Sequence, residues 1–315
     1  MESVKYSVVI PLYNKERYIR RTLESVLAQT FQHFEVIVVD DGSTDNSLNA
    51  ARQAASGRVR IISQENRGTA AARNTGIEHA EGEYIAFLDA DDEWKENYLE
   101  TIDSLTGTYP QSDIFVTAYR VVMGNGKYNY SSRLTPEEGC LESYWMTFQY
   151  PYDFVWTSAT VIRKSAVLEA GGFKPGERIG QDLDLWARVA RINPRVAYSS
   201  SVCVDYNRNA GENARSREKI ACAKAFLRDL EEELRNPDHS SEEIDMIQYK
   251  YDLKMTVYVF TCILAGDKIL ARDVYTRWQG RKRLRTRLLR AGLRTAMIMP
   301  AGLNRFLYKI RLKVF

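Results

Sequence analysis

Apolar residues fall along the first hundred positions in two alternating rhythms. Runs at 7–10, 36–39, 59–62 and 84–88 are almost continuously apolar, as in strands covered on both faces. Between the first two, Ile19, Leu23, Val26 and Leu27 recur at helical spacing, with Arg20, Arg21 and Glu24 on the opposite face. Further helices are predicted near 47–55, 69–79 and 95–105. Pro11 closes the first run, since a residue without an N–H cannot continue a central strand. Alternating strands and helices predict βαβ units with right-handed crossovers, giving an α/β fold with a Rossmann-like, mainly parallel sheet flanked by helices.

Ligands of such sheets lie beyond the carboxyl ends of the strands. Three of those ends carry polar clusters: Pro11-Leu12-Tyr13-Asn14, Asp40-Asp41-Gly42-Ser43 and Asp89-Ala90-Asp91-Asp92. The middle of the chain, about 106–210, is richer in strands, predicted at 114–122, 157–163 and 196–205, with a helix from about 182 to 192. From about 212 onward the pattern is helical, with breaks at Pro237 and Pro300. The expected organisation is therefore a catalytic domain over 1–210, nucleotide-binding to about 105 and acceptor-binding over 106–210. A helical region over 211–315 follows.

Composition narrows the classes. With 315 residues, 44% hydrophobic and 27% charged, the chain has the make-up of a soluble globular protein. It opens without a basic segment leading into a long apolar stretch, so no secretory signal is expected. No run of about 18 apolar residues predicts a membrane span. Cys140, Cys203, Cys222 and Cys262 lack metal-ligand or disulfide-framework spacing, and reduced thiols in a cytoplasmic protein are expected. His33, His79 and His239 also lack ligand spacing and are expected at the surface.

The acidic cluster after the 84–88 run carries the clearest chemistry. In an extended segment Asp89 and Asp91 point the same way, and such a pair beyond a strand end suits a hard divalent cation shared with a diphosphate. The competing explanation is a cap for a helix beginning near Trp94. Asp40 or Asp41 can accept hydrogen bonds from a base or ribose, and Gly42 permits a tight turn. Ser43, Thr44 or Asp45 can cap the next helix as well. Arg67 and Arg73, around the start of the helix at 69–79, suit a diphosphate or base contact, or else an ion pair that holds the helix. Gln181 and Asp182 open the helix with Leu185, Val189 and Ile192 on one face. Asp184 lies about 200° further round from Asp182, so the two cannot share one site. First-turn acids also favour the helix dipole, and spacing alone does not single out Asp182 as catalytic.

Taken in order, several segments resemble the family 2 glycosyltransferases: 8–14, 38–45, 66–76, 87–92, Thr157-Ser158, Ala170-Gly171-Gly172-Phe173, and Gln181-Asp182 with Leu185-Trp186. The resemblance covers about residues 4–210 and implies the GT-A fold. It also implies inverting transfer of a sugar from a nucleotide-sugar to an acceptor hydroxyl. Pro11, Tyr13, Asn14, Asp40 and Asp41 would line the donor's nucleotide, with Arg67, Arg73 and Ala90 nearby. Asp89 would hold the ribose or metal, and Asp91 would be the main ligand of Mn²⁺ or Mg²⁺. Asp182 would be the general base, with Trp156, Thr157, Ser158 and Gln181 towards the acceptor. The chain departs from the family's commonest pattern at Gln181, where many relatives have Glu. Gln removes a like charge beside the base.

UDP is the expected nucleotide, as the commonest in the family. A sugar-phosphate nucleotidylyltransferase would instead need a Gly- and Lys-rich phosphate loop where Pro11-Leu12-Tyr13-Asn14 stands. A binding protein without activity is the non-enzymatic alternative. Between residues 272 and 315 basic residues interleave with Leu284, Leu288, Leu289 and Leu293, and Asp273 is the single acidic side chain. Such basic amphipathic helices suit an anionic membrane surface, which would place the enzyme peripherally on the cytoplasmic face with a glycan or lipid-linked acceptor. Packing on the catalytic domain is the other reading of that tail. No nucleic-acid partner is expected, because no RNA- or DNA-reading module accompanies the charge.

Overall fold

A computed structural model describes residues 4–55, 57–122, 128–130, 137–150, 152–177, 179–208 and 223–278. The chain divides into two compact units, Met1–Gly211 and Glu212–Phe315.

The first unit contains β1 (Tyr6–Leu12), α1 (Ile19–Leu27), β2 (Phe34–Asp41), α2 (Ser47–Ala54), β3 (Val59–Gln64), α3 (Thr69–Glu78) and β4 (Tyr84–Phe87). There follow β5 (Glu93–Trp94), α4 (Tyr98–Thr108), β6 (Ile114–Val122), β7 (Tyr128–Tyr130), β8 (Glu138–Leu141), β9 (Thr160–Arg163), α5 (Lys164–Glu169), α6 (Gln181–Ile192) and β10 (Val196–Asn207). Among the described residues these strands form one sheet in the order β3-β2-β1-β4-β9-β6-β10-β5, with β7 on β6 and β8 on β10. The β3-β2-β1-β4 part is parallel, as is the β6–β10 pair. β9 runs antiparallel between β4 and β6. The two expected halves of the catalytic domain are thus parts of one sheet. The order reverses beside β1, since β2 lies on one side and β4 on the other. This is the position where open α/β sheets leave a crevice.

Strand alternation sorts the core. Val8, Ile10, Leu12, Val36, Val38 and Ala86 join α1, α2 and α4 residues such as Leu23, Ala51 and Ile102 in one hydrophobic cluster. The other face carries α3 and α6. There Trp186 packs on Phe87 with ring centroids 5.4 Å apart, and Phe173 lies edge-on to Phe87 at 5.5 Å. α3 approaches β1 closely at Gly76, where an added Cβ would lie 2.4 Å from Cγ1 of the fully buried Val9. A Gly-to-Ala change inside a helix usually stabilises by up to about 1 kcal/mol. Here overpacking against a rigid β-branched core residue should dominate, and Gly76→Ala is expected to destabilise by about 1–2 kcal/mol. Thermal melts would check the sign, and a raised midpoint would show that α3 can shift freely.

Pro11 lies inside β1 rather than after it, paired with Val39. The Val9 carbonyl accepts from Leu88 on the β4 side. Backbone groups two residues apart point to the same edge, so the missing Pro11 N–H also faces β4. Pairing with β4 has already ended at Val9, so no ladder bond is lost. Trp94, expected near a helix start, instead forms β5, which pairs with Val204 of β10. Its indole N–H donates to the Ser158 carbonyl at 2.7 Å, and α4 starts at Tyr98. Residues Thr157–Ala159 form a 3₁₀ turn, and the strand begins only at Thr160. Ile192 at the end of α6 is 40% exposed, so the buried face of that helix ends at Val189 and Ala190.

The second unit contains α7 (Lys224–Glu233), α8 (Ser241–Leu264) and α9 (Lys268–Arg277). Ser240 and Glu243 form a capping box at the start of α8, and Asp267 caps α9 through the Leu270 N–H. Its core includes Phe226, Leu230, Tyr251, Val259 and Trp278, whose indole N–H donates to the buried Asp252 at 2.9 Å. The basic amphipathic segment expected over 272–315 lies, beyond Trp278, outside the described residues. Among the described residues no helix is long and apolar enough to cross a membrane. The histidines are half-buried rather than fully exposed: His79 hydrogen-bonds the Thr75 carbonyl at 2.8 Å, and His239 meets Glu233 at 2.6 Å.

Candidate active site

The loops after β1 and β2 are tied together by Asn14. Its φ of 52° is left-handed, a conformation Asn tolerates better than most residues. Its side-chain oxygen accepts from the Thr44 N–H at 2.8 Å, and its own N–H donates to Ser43 Oγ at 3.2 Å. The carboxylate of Asp45 takes the Ser47 N–H at 2.9 Å, at the start of α2. Pro11, Tyr13 and Asn14 remain half-buried around this junction.

Consecutive residues Asp40 and Asp41 point to opposite faces of β2 and do different work. Asp41 accepts from Gln64 Nε2 at 2.7 Å, from the Arg67 N–H at 2.9 Å and from the Gly68 N–H at 2.8 Å. Both its oxygens are therefore committed to shaping the loop that starts α3. Gly42, with φ of 72°, lets that loop close in, since a Cβ there would sit 3.0 Å from the Asn66 nitrogen. Asp40 is also buried, and its Oδ1 accepts from the Ser43 N–H at 3.3 Å. The Arg67 side chain is exposed, with a contact of 3.2 Å to Gln64.

Residues 89–92 form a turn, not the extended segment expected, because the Asp92 N–H donates to the Asp89 carbonyl at 3.0 Å. The carboxylates consequently diverge. Asp89 Oδ1 accepts from Arg73 Nη2 at 2.6 Å, and Asp91 Oδ2 accepts from Lys15 Nζ at 2.6 Å. Asp92 is fully buried and accepts from Ser158 Oγ at 2.5 Å and from the Asn207 N–H at 2.9 Å, joining the turn to β10. Burial, then the neighbouring Asp91 and Asp89, pushes its carboxyl well above the usual range. Burial also raises Asp91, with the Lys15 ammonium opposing and Asp89 adding to the rise. Ala90 stands apart from the cluster: its methyl lies in the hydrophobic core and its carbonyl accepts from Thr22 Oγ1 at 3.0 Å.

Arg73 connects this turn to α6. It is 4% exposed, with its guanidinium 5.1 Å from the Phe173 ring centroid. With the Gln181 amide oriented to satisfy its neighbours, the Gln181 oxygen accepts from Arg73 Nη1 at 3.2 Å and its nitrogen donates to the Glu177 carbonyl at 2.7 Å. Of the two roles the sequence left open for Arg73, the structure shows the ion pair. Asp182, the next residue, accepts from Thr157 Oγ1 at 2.8 Å and from the Leu183 N–H at 2.9 Å. Thr157 and Ser158 are both buried, whereas Trp156 is half-buried, stacked on Tyr119 and tilted against Tyr206.

Asp184 faces away, fully buried between Lys174 at 2.7 Å and Arg188 at 2.6 Å. Burial would raise its carboxyl, but these two cations outweigh it and hold the group below the usual range. Arg188 also donates to the carbonyls of Ala170 and Gly172, and Asn74 exchanges two hydrogen bonds of 2.8 Å with the Phe173 backbone. Together they fix the loop that leads into α6. Sequence reasoning did not single out Lys15 or Asp92. Lys15 had one available signal, a cation directly after a strand-end motif.

The family model described as "Glycosyl transferase family 2" matches residues 7–170, just over half of the chain. The chain belongs to family 2 of the glycosyltransferases. Among curated relatives of this family 2 member, Streptococcus pneumoniae glycosyltransferase GlyG is 50% identical over 99 residues, 30% of this chain and 33% of that protein. The chain spans between 17% and 39% of the length of the curated relatives it matches. Residues 1–349 of Staphylococcus aureus TarS, in complex with UDP-GlcNAc, superpose with a TM-score of 0.67 at 21% identity, over 93% of this chain and 89% of that one. Mannosyltransferase PcManGT from Pyrobaculum calidifontis, in complex with GDP-Man and Mn²⁺, gives a TM-score of 0.60 at 18% identity, over 99% and 87%. The fold of this family 2 member is GT-A, as the motifs implied. Asn14, Asp41, Arg73, Asp89 and Asp91 all fall within the matched 7–170 segment, and Gln181 and Asp182 lie beyond it.

Proposed function

We propose that the chain moves one sugar from a nucleotide-sugar to an acceptor hydroxyl, in a single displacement that inverts the anomeric carbon. One observation carries this: Arg73 holds Asp89 with one nitrogen and Gln181 with the other, so the acidic turn and the Asp182 end of α6 meet at the sheet's reversal point. The donor's nucleoside would lie against Pro11, Tyr13, Asn14 and Asp40, with exposed Arg67 at the rim. Asp41 and Arg73 would serve the donor indirectly, by holding the surrounding loops. UDP is the preferred nucleotide, supported by the likeness to TarS, which was seen with UDP-GlcNAc. GDP is second, from the mannosyltransferase.

The acidic turn fits a divalent cation shared with a diphosphate better than a self-sufficient metal centre. Among the described residues no group of three or more His, Cys, Asp or Glu could hold a metal by itself. Asp89 and Asp91 each spend one oxygen on a basic partner and retain the other. Hard oxygen ligands of this kind suit Mn²⁺ or Mg²⁺, the rest of the shell coming from phosphate and water. When bound, the ion supplies charge that stabilises the departing nucleoside diphosphate. Asp91 would be its main ligand, with Asp89 assisting. Thr157 and the Leu183 N–H orient the Asp182 carboxylate, which would take the proton from the acceptor hydroxyl as its oxygen attacks. Trp156 and Gln181 would border the acceptor, while the buried Ser158 supports the acidic turn from below.

For the acceptor we favour a glycan or lipid-linked sugar of the cell surface, reached from the cytoplasmic face with 272–315 on an anionic membrane. The test is release of nucleoside diphosphate from UDP-, GDP- and dTDP-sugars with Mn²⁺ or Mg²⁺. One donor should turn over in a metal-dependent manner, and Asp91→Asn should slow it by about 10²-fold or more, since metal charge stabilisation is worth several kcal/mol. A chain that neither turns over nor binds any of these donors with metal present would refute the assignment.

A further inference from the structure

We infer that Lys15 is an exchangeable counter-ion for Asp91, which guards the cation position until a nucleotide diphosphate arrives and thereby makes cation and nucleotide bind cooperatively. The inference rests on the donor and cation reading above and deepens it. Its starting point is a contrast between the two basic partners of the acidic turn.

Arg73 is a fixed partner of Asp89. Its side chain is 5% exposed, its guanidinium lies on Phe173, and Gln181 takes a second hydrogen bond. A planar guanidinium held on three sides cannot leave without vacating a packed pocket. Lys15 is held in another way, although its ammonium also lies 5.9 Å from the Tyr18 ring centroid. It sits in the loop after β1, its side chain is 17% exposed, and it meets Asp91 Oδ2 at 2.6 Å through a single ammonium on a flexible stem. An ammonium is a compact point charge that readily changes partners.

Asp91 is also only 17% exposed, and a carboxylate with so little water around it needs a counter-charge. Lys15 supplies one in the absence of any other cation. A divalent ion arriving at the same carboxylate must then compete with the ammonium and withstand its repulsion. The donor's diphosphate changes that balance. It offers Lys15 new anionic oxygens, and lysine is a common phosphate partner through its point charge. Once Lys15 has turned to the phosphate, Asp91 is open to the ion. Each ligand thus removes an obstacle to the other. By linkage the gain must be the same from either side, with couplings typically about 5–150-fold. Lys15 is on this account a positioning residue, and its effect lies in the coupling rather than in turnover.

The test measures Mn²⁺ binding to the full chain by the loss of the free-ion electron paramagnetic resonance signal. It is run without nucleotide and with saturating UDP or GDP, on the wild type, Lys15→Gln and Lys15→Arg. In the wild type, nucleotide should tighten Mn²⁺ binding about tenfold or more. In Lys15→Gln, Mn²⁺ alone should bind more tightly than to the wild type, and the tightening by nucleotide should shrink to about twofold or less. UDP without metal should bind more weakly to that variant, and Lys15→Arg should retain most of the coupling. Tightening in Lys15→Gln as large as in the wild type, or weaker binding of Mn²⁺ alone, would overturn the inference while leaving the donor assignment intact. A wild type that binds no nucleotide even with Mn²⁺ would overturn both.

Discussion

Asp182→Asn is expected to lower kcat for sugar transfer about 10³-fold, within the range for loss of a positioned general base. Binding of UDP with Mn²⁺ should be essentially unchanged. The substitution keeps the shape of the side chain, so the Thr157 and Leu183 contacts, at 2.8 and 2.9 Å, can largely persist. Only the ability to take a proton is lost. The donor-side contacts proposed above arise on other elements, at the ends of β1 and β2 and on the 89–92 turn. The loss should therefore fall on kcat rather than on donor affinity. Steady-state kinetics with the cognate donor and acceptor would measure it, beside a thermal melt that checks the fold. A kcat within about tenfold of the wild type would remove Asp182 from the base role.

Two residues on, the outcome should be the reverse. Asp184→Ala is expected to cost about 3 kcal/mol of stability, the low end for breaking a buried ion pair, because Arg188 keeps its carbonyl partners. The melting midpoint of the first unit should fall by about 6–12 °C. Asp184 also carries a pH signature. Its carboxyl is held below the usual range in the folded state, so the stability it contributes is present above its unfolded pKa of about 3.9 and lost as pH falls through the lower folded value. Asp205, where Arg120 and Lys95 outweigh the upward push of burial, acts in the same direction. The wild-type midpoint should thus decline below about pH 4, and Asp184→Ala should decline less steeply over that range. An identical slope in the variant would show that Asp184 does not contribute to acid unfolding.

The sheet was legible where one physical signal acted alone. The 36–39 run is apolar at every position because β2 is covered on both faces, and burial confirms it. The sequence misled where a local rule met a nonlocal exception. Pro11 obeys the rule about ladder donors, but only pairing partners far along the chain reveal that its N-side faces β4 beyond the end of their pairing. Trp94 became a strand residue because β10, about 110 positions later, offers it an edge. The acidic turn was located by its neighbours, yet the direction of each carboxylate was not. A period-two argument assumes an extended chain, and the hydrogen bond from Asp92 to Asp89 abolishes that assumption. Asp184 was separated from Asp182 by helical geometry alone. Its cations could not be foreseen as a pair: Arg188 follows one turn later at helical spacing, but Lys174 comes from the preceding loop.

The antiparallel strand β9 has a consequence for how this protein is made. It pairs with β4 on one side and β6 on the other, so β4 offers an open edge from the moment its own residues leave the ribosome until about residue 163 follows. Some eighty residues of synthesis separate these events, several seconds at ordinary elongation rates. Throughout that interval a buried-type apolar strand presents unpaired backbone groups, the condition that invites pairing with other chains. Fragments ending near residue 105 would carry that exposed edge permanently. Cutting out the β1–β4 part as a separate piece should therefore yield aggregates, while a piece that runs on through β10 covers the β4 edge with β9.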